Sequence, residues 1–310
     1  MRLVSGLQTI DHVAGGSVAT IGNFDGVHRG HQQVIQQLAA EGRKRGLPVV
    51  VLLFEPQPRE FFFPEGSPAR LTRLREKLMQ LGRLPVDLVL LLRFNHDLAD
   101  LPAEVFVRRI LVDRLNVKFL VVGDDFRFGR HRAGDFAHLC KAGEKYGFRV
   151  RDTESVIQDG QRISSTLIRE ALADDRFDTA ELLLGRPYSM CGRVVPGDQR
   201  GRQLGFPTAN IAVARRNAPL HGVFAVTMQG FGEMPLPGVA NIGFRPTIQG
   251  SRQLLLEVHL LDFADDLYGR RLEVCFHRKL RNERKFFDLS ALREQIASDV
   301  KAARGHFSPR

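Results

Sequence analysis

The periodicity of the chain changes at Gly185-Arg-Pro187, and that change constrains the fold more than any other feature. Before it, short apolar runs alternate with helical patterns. The runs at residues 18–21, 48–54, 87–92, 119–122 and 149–157 predict strands. The stretches after His31 and at 71–81, 103–115, 134–146, 164–173 and 177–184 predict helices, with Leu71, Leu74, Leu78 and Leu81 at spacings of three and four. Strands separated by helices imply a doubly wound parallel sheet. Beyond Pro187, strand-like segments at 189–195, 223–228, 237–242, 254–260 and 271–278 are separated by Gly and Pro turns. That spacing suits a small antiparallel barrel, and a helix at about 289–304 ends the chain. With 310 residues and roughly 150 per domain, the expectation is an α/β doubly wound domain over 1–186 and a β-barrel domain over 187–310.

The net charge is +10, from 45 Lys and Arg against 35 Asp and Glu. Such a balance suits nucleic acid, anionic lipid or polyphosphate ligands. The bases are scattered, as in Arg43-Lys-Arg45, Arg108-Arg109, Arg215-Arg216 and Arg270-Arg271, and no base-reading motif accompanies them. Small anionic ligands are therefore expected in preference to nucleic acid. The three cysteines, Cys140, Cys191 and Cys275, are far apart, which argues against a disulfide framework or a CxxC zinc site. The amino terminus lacks the apolar core of a signal peptide, and the longest apolar runs are strand-sized, far below the ~20 residues of a membrane span. The expectation is a cytoplasmic protein without membrane partners, a monomer or weak homo-oligomer.

The segment Thr20-Ile-Gly-Asn-Phe-Asp-Gly-Val-His-Arg-Gly-His31 lies where a strand turns into a helix. In an open α/β sheet, phosphate-bearing ligands bind there, at the carboxyl end of a strand and the amino end of a helix. An HxxH pair by itself is equally a metal ligand pair or two surface imidazoles. The neighbouring glycines, Gly22, Gly26 and Gly30, favour close approach of the backbone to a ligand. Imidazole N–H groups at such a junction can stabilise charge building on phosphoryl oxygens. Two further strand or helix ends carry phosphate-type donors: Gly123-Asp-Asp-Phe-Arg-Phe-Gly129, and Arg162-Ile-Ser-Ser-Thr-Leu-Ile-Arg169. Ser165 and Thr166 read either as plain helix caps or as phosphate donors, flanked by Arg162 and Arg169.

In the second half, residues 192–210 form a Gly-rich, basic loop that ends in Pro207-Thr-Ala-Asn210 and lacks the GKS/T ending of a P-loop. Thr208 and Asn210 point to the same side of an extended segment and are hard oxygen ligands suited to Mg²⁺ and phosphate. Alternatively, they form a polar turn. Glu257 interrupts the apolar run Leu254-Leu-Leu-Glu-Val-His-Leu-Leu-Asp262. It reads as a salt-bridged edge residue, or as a carboxylate that takes a proton from a hydroxyl attacking phosphate.

Taken together and in order, Gly22-Asn-Phe-Asp-Gly-Val-His-Arg-Gly-His31, Phe54-Glu-Pro-Gln-Pro58, Gly123-Asp-Asp-Phe-Arg-Phe128, Ser164-Ser-Thr-Leu-Ile-Arg169, the PTAN segment and Leu-Glu-Val-His-Leu-Leu-Asp-Phe263 resemble the prokaryotic bifunctional riboflavin kinase/FMN adenylyltransferases, or FAD synthetases. The resemblance implies an HxGH nucleotidyltransferase domain followed by a riboflavin kinase barrel, with riboflavin, ATP, FMN and FAD as substrates, intermediate and product, and Mg²⁺ in both steps. It implies that His28 and His31 contact ATP phosphates beside Asn23. Asp125 would lie near the adenosine, and Arg162, Ser165, Thr166 and Arg169 would hold the triphosphate. Phe54, Phe62 and Phe128 would surround the isoalloxazine ring. Gly201, Thr208 and Asn210 would hold Mg²⁺ and ATP phosphates in the kinase, where Glu257 would be the general base. Two positions depart from the pattern: Gln57, where His is common, and Phe244 within Asn241-Ile-Gly-Phe-Arg-Pro-Thr247, where Thr is common. The remaining readings are a nucleotidyltransferase for another acceptor and a basic nucleic-acid-binding module.

Overall fold

The computed structural model describes residues 1–123, 125–153, 157–158, 160–197, 201, 204–246 and 252–308. The chain divides into two compact units, Met1–Pro68 with Lys77–Ile163, and Ala69–Glu76 with Ser164–Arg310.

The first unit runs β1 (Arg2–Ser5), β2 (Ser17–Ile21), α1 (Arg29–Arg45), β3 (Val49–Glu55) and α2 (Pro58–Phe62). After α3 (Leu74–Leu81), which starts in residues of the second unit, come β4 (Leu88–Arg93), α4 (His96–Ala99), α5 (Ala103–Phe106), β5 (Val117–Val122), α6 (Phe136–Tyr146) and β6 (Arg149–Asp152). A short hairpin, β7 (Ile157–Gln158) and β8 (Gln161–Arg162), completes the unit. Strands β1 to β6 form one sheet in the order β1-β4-β3-β2-β5-β6, and each neighbouring pair is parallel. All five residues of β2 and the first six of β3 are buried, the continuous burial of strands covered on both faces. Leu52, Leu90, Leu120 and Ile110 anchor the larger core cluster, while Val18, Leu38 and Val121 form a second cluster with the helix α1.

Several elements differ from the sequence reading, among them a strand of the second unit, Ala209–Ala212, which it does not count among the strands. Strand β1 spans four residues of which only Val4 is buried, too little to stand out in the sequence. The helix expected over 103–115 widens into a π-helical turn at Val107–Val112, keeping Val107, Ile110 and Leu111 buried. A left-handed cap at Gly46 ends α1.

The second unit contains α7 (Ser165–Ala173), α8 (Phe177–Leu184), β9 (Tyr188–Val195), β10 (Ala209–Ala212), β11 (Gly222–Gln229), β12 (Leu236–Pro246), β13 (Arg252–Leu260), β14 (Arg271–Arg281) and α9 (Leu289–Phe307). The strands close into an antiparallel barrel in the order β10-β13-β12-β11-β14-β9. Closure leaves no unpaired sheet edge. Strand β13 shows the period of two: Leu254, Leu256, Val258 and Leu260 are buried, while Leu255, Glu257 and His259 lie on the other face, half-buried. Helix α9 starts at Asp288, whose carboxylate accepts the Ala291 N–H at 2.8 Å, and packs Ala303, Val300 and Phe307 against Val223, Ala225 and Val239 of the barrel. The parallel sheet, the barrel and the closing helix are all as expected from the sequence.

Candidate active sites

The strand-to-helix junction after β2 is built by a tight turn. Phe24 and Val27 hold positive φ angles of 48° and 43°, uncommon for non-glycine residues, and both bury their side chains. That turn delivers His28 as the N-cap of α1, its Nδ1 accepting the His31 backbone N–H at 3.4 Å. A neutral His28 that accepts through Nδ1 carries its proton on Nε2. The two imidazoles stack with centroids 3.6 Å apart, and Phe24 lies 4.7 Å from His31 on the other side. His31 Nδ1 is buried with no hydrogen-bond partner among the described residues. Desolvation pushes the His31 pKa well below its usual value, and the adjacent His28 and the Lys77 ammonium add to the shift. The junction therefore presents a neutral His31 imidazole next to His28 at a helix amino terminus, while Asn23 is exposed beside them in sequence.

At the carboxyl end of β5, Asp125 and Arg162 converge on Gly123. A Cβ there would stand 2.7 Å from Asp125 Oδ1 and 4.0 Å from Arg162 Nη2. Asp124 lies outside the described residues. Helix α7 is capped by Ser164, whose hydroxyl accepts the Leu167 N–H at 3.2 Å. This corrects the reading of Ser165 and Thr166 as caps: they occupy the first turn instead. Arg169 donates through Nε to the Ala69 carbonyl at 2.6 Å, within the second unit.

The aromatic positions separate by burial. Phe62 is 56% exposed, whereas Phe54 and Phe128 belong to the core of the sheet. Phe94 joins them edge-on, 5.8 Å from Phe54 and 5.7 Å from Phe62. Phe126 stacks on Phe128 at 5.6 Å. Phe94 was not singled out from the sequence, although it directly follows β4 at the same sheet end. Gln57 caps α2, its buried Nε2 without a partner among the described residues.

The barrel assembles a second constellation. Glu257 on β13 pairs across the strands with Asn210 on β10 and with Asn241 on β12. Directly paired residues project to the same face, so the three side chains form a row. A cavity of about 460 Å³ is bordered by Gly201, Thr208, Asn241, Glu257, Glu283 and Phe286. A second cavity of about 420 Å³ is bordered by Pro207, Thr208, Asp265, Asp266 and Tyr268. Thr208 lies on both. Two glycines approach Thr208 and Asn210 closely: a Cβ at Gly201 would lie 3.2 Å from Thr208 Oγ1, and one at Gly197 would collide with the Asn210 carboxamide. His259 steadies the segment from below, its Nδ1 bonded to the Pro207 carbonyl at 2.9 Å. Residues 198–200, 202–203 and Thr247 of the quoted motifs lie outside the described residues. Phe244 stacks obliquely on His221 at 5.1 Å, at the border of the first cavity.

Among the described residues no cluster of three or more His, Cys, Asp or Glu side chains could hold a metal. The oxygens of Thr208 and Asn210, packed against Gly201 and Gly197, fit a hard cation that takes its remaining ligands from phosphate and water. Asn241, Glu283 and Phe286 escaped sequence reasoning as site residues. Barrel register brings Asn241 beside Glu257, while Glu283 and Phe286 reach the cavity from the segment that follows β14.

Residues 10–167 match the family model for FAD synthetase, and residues 184–307 match that for riboflavin kinase. Over 308 residues the chain is 55% identical to the bifunctional riboflavin kinase/FMN adenylyltransferase of Escherichia coli strain K12, covering 99% of this chain and 98% of that protein. It is 53% identical over 309 residues to the protein of that description from Pseudomonas fluorescens, covering 100% and 99%. A solved structure described as a macrolide-efflux protein from Streptococcus pneumoniae superposes with a TM-score of 0.82 at 29% identity, covering 98% of this chain and 99% of that one. No described helix of the present chain is long and apolar enough to cross a membrane.

Proposed function

We propose a division of labour within the chain, which belongs to the bifunctional riboflavin kinase/FMN adenylyltransferase family. The carboxyl-terminal riboflavin kinase phosphorylates riboflavin with ATP, and the amino-terminal FAD synthetase half transfers AMP from ATP to FMN, giving FAD and pyrophosphate. In our reading the working boundary falls at 186/187, so that α7 serves the adenylyl transfer, and the enzyme works in the cytoplasm.

In the kinase, Glu257 takes the proton of the ribityl hydroxyl as its oxygen bonds to the γ-phosphorus and the bond to ADP breaks. Thr208 and Asn210 would hold Mg²⁺ together with the ATP phosphates, with Gly201 close to them, and the ion would supply neutralisation of phosphate charge. In the adenylyltransferase, His28 and His31 act as donors to the α-phosphoryl oxygens, His31 as a neutral imidazole. Neutral donors strengthen as charge develops there, without binding the ground state as strongly as a fixed cation would. Arg162, Ser165, Thr166 and Arg169 hold the triphosphate, with Asn23 beside the histidines and Asp125 toward the adenosine. Phe62 offers an open face for the isoalloxazine ring, backed from the core by Phe54 and Phe128.

The observation that carries this reading is the cross-strand pairing of Glu257 with Asn210, beside a residue, Thr208, that borders two cavities. One cavity suits the flavin and the other the nucleotide, with phosphoryl transfer where they meet. The test is a time course with riboflavin, ATP and Mg²⁺, resolved into riboflavin, FMN and FAD. FMN rises first and FAD follows. His31→Ala stops at FMN, and Glu257→Gln makes FAD only from added FMN. Loss of both activities from either substitution in a folded protein overturns the two-site assignment.

A further inference from the structure

The kinase cavity contains a polar group that the phosphoryl transfer described above does not use. Asn241 stands across β12 and β13 from Glu257, as Asn210 does on the opposite flank. Both Asn241 and Glu257 border the 460 Å³ cavity. Asn241 Nδ2 donates to Glu283 Oε1 at 3.1 Å. Asn241 Oδ1 is buried, and no described residue donates to it. A buried carbonyl oxygen left unpaired is costly, a deficit that a ligand hydroxyl removes.

The orientation of the amide follows from its partner. An ionised Glu283 carboxylate only accepts hydrogen bonds, so it must face the NH₂ end and turn the oxygen elsewhere. Gly243 makes this contact sterically feasible, because a Cβ there would collide with the Glu283 carboxylate. Glu283 reaches Asn241 from 42 positions away in sequence, beyond the end of β14. The pair is thus an arrangement of the folded barrel that leaves one acceptor, of defined polarity, one strand from the base.

Directly opposed side chains on neighbouring strands have Cβ atoms about 4.5–5.5 Å apart. A group held beside Glu257 at that spacing meets the polyol close to its reacting end. We propose that Asn241 Oδ1 accepts a hydrogen bond from a ribityl hydroxyl inboard of the one that is phosphorylated, and that Glu283 is the positioning residue that holds the carboxamide in this orientation. The inference rests on the assignment of Glu257 as the base facing the terminal hydroxyl. It makes the kinase selective for the polyol character of the side chain as well as for the flat ring.

The test compares riboflavin with 7,8-dimethyl-10-(5-hydroxypentyl)isoalloxazine, which carries the same ring and a terminal hydroxyl but no inner ones. The wild-type enzyme prefers riboflavin in kcat/KM. Asn241→Leu lowers kcat/KM for riboflavin by about tenfold to a hundredfold, while the value for the analogue changes by less than about threefold, so the preference collapses. The KM for ATP stays constant. Glu283→Leu erodes the preference in the same direction, and Glu283→Gln restores it, because the glutamine oxygen still accepts from Asn241 Nδ2. Should Asn241→Leu fail to fold, the Glu283 variants carry the comparison. An equal loss on both flavins, or no loss on riboflavin, overturns the proposal, as does a wild-type enzyme without preference. Glu257→Gln distinguishes the underlying reading: if that variant still phosphorylates riboflavin, the base assignment is wrong, whatever Asn241 does.

Discussion

His31 shows how a side chain acquires its chemistry from neighbours a residue or two away. Its ring is held between Phe24 and His28, and burial is the leading cause of its depressed pKa. An unfolded histidine titrates near about 6.5. Between that value and the lower folded one, the unfolded chain binds a proton that the native state refuses. Stability is therefore complete above about pH 6.5 and declines as pH falls through the window below. The groups that set this window, His28 and the Lys77 ammonium, both oppose protonation of His31. Urea-denaturation midpoints of wild type and His31→Asn, measured at pH 7.5 and 5.5, should separate: the wild type loses more stability on acidification than the variant. Equal losses would mean that His31 is not the group refusing the proton. The glycines and histidines of this junction were legible in the sequence because a strand end, a turn and a helix start follow one another locally. The stacking that makes His31 neutral was not, since it depends on the positive φ of Phe24.

At the scale of elements, the segment preceding α3 is held by a buried ion pair. Glu76 and Arg215 pair with side chains only 6% and 2% exposed. Glu76 also accepts the backbone N–H groups of Arg73, at 2.6 Å, and Cys191, at 2.8 Å, while Arg215 donates to the Arg70 carbonyl at 2.6 Å. All of these residues belong to the second unit, so the pair ties Ala69–Glu76 to the barrel strands. Truncating one partner leaves the other charge buried and unpaired, at a cost of about 3–5 kcal/mol. Arg215→Met should lower the denaturation midpoint strongly, and adding Glu76→Gln to it should recover part of the loss. Were Arg215→Met as stable as the wild type, the pair would contribute nothing to holding this segment. The same contacts explain a boundary that sequence periodicity placed too early. Leu71 has the spacing of a helical residue, but its carbonyl accepts from Arg215 and the helix begins at Leu74. Local spacing reports which residues want burial; it does not report which carbonyl a distant guanidinium will take. The Asn210–Glu257–Asn241 row was half legible for a similar reason, because PTAN and Glu257 stand out by composition whereas Asn241 joins them only through barrel register and meets Glu283 from 42 positions away.

For the whole molecule, the question is whether the product of one half must be handed directly to the other. The residues assigned to phosphorylation, Gly201, Thr208, Asn210 and Glu257, all belong to the second unit, whereas His28 and His31 belong to the first. Neither reaction, as assigned, calls on the other's catalytic group. FMN is a soluble dianion near neutral pH, and a chain of net charge +10 raises the local concentration of such anions through long-range attraction. FMN made by one molecule should then serve another. An equimolar mixture of His31→Ala and Glu257→Gln, given riboflavin, ATP and Mg²⁺, should form FAD although neither variant does so alone. The lag before FAD appears should shorten as total enzyme increases, because free FMN must first accumulate, and added salt should slow the second step by screening the attraction. A mixture that accumulates FMN without FAD, while Glu257→Gln still adenylylates added FMN at the same concentration, would instead require transfer within one chain. It would show that the two halves are joined for more than convenience of expression.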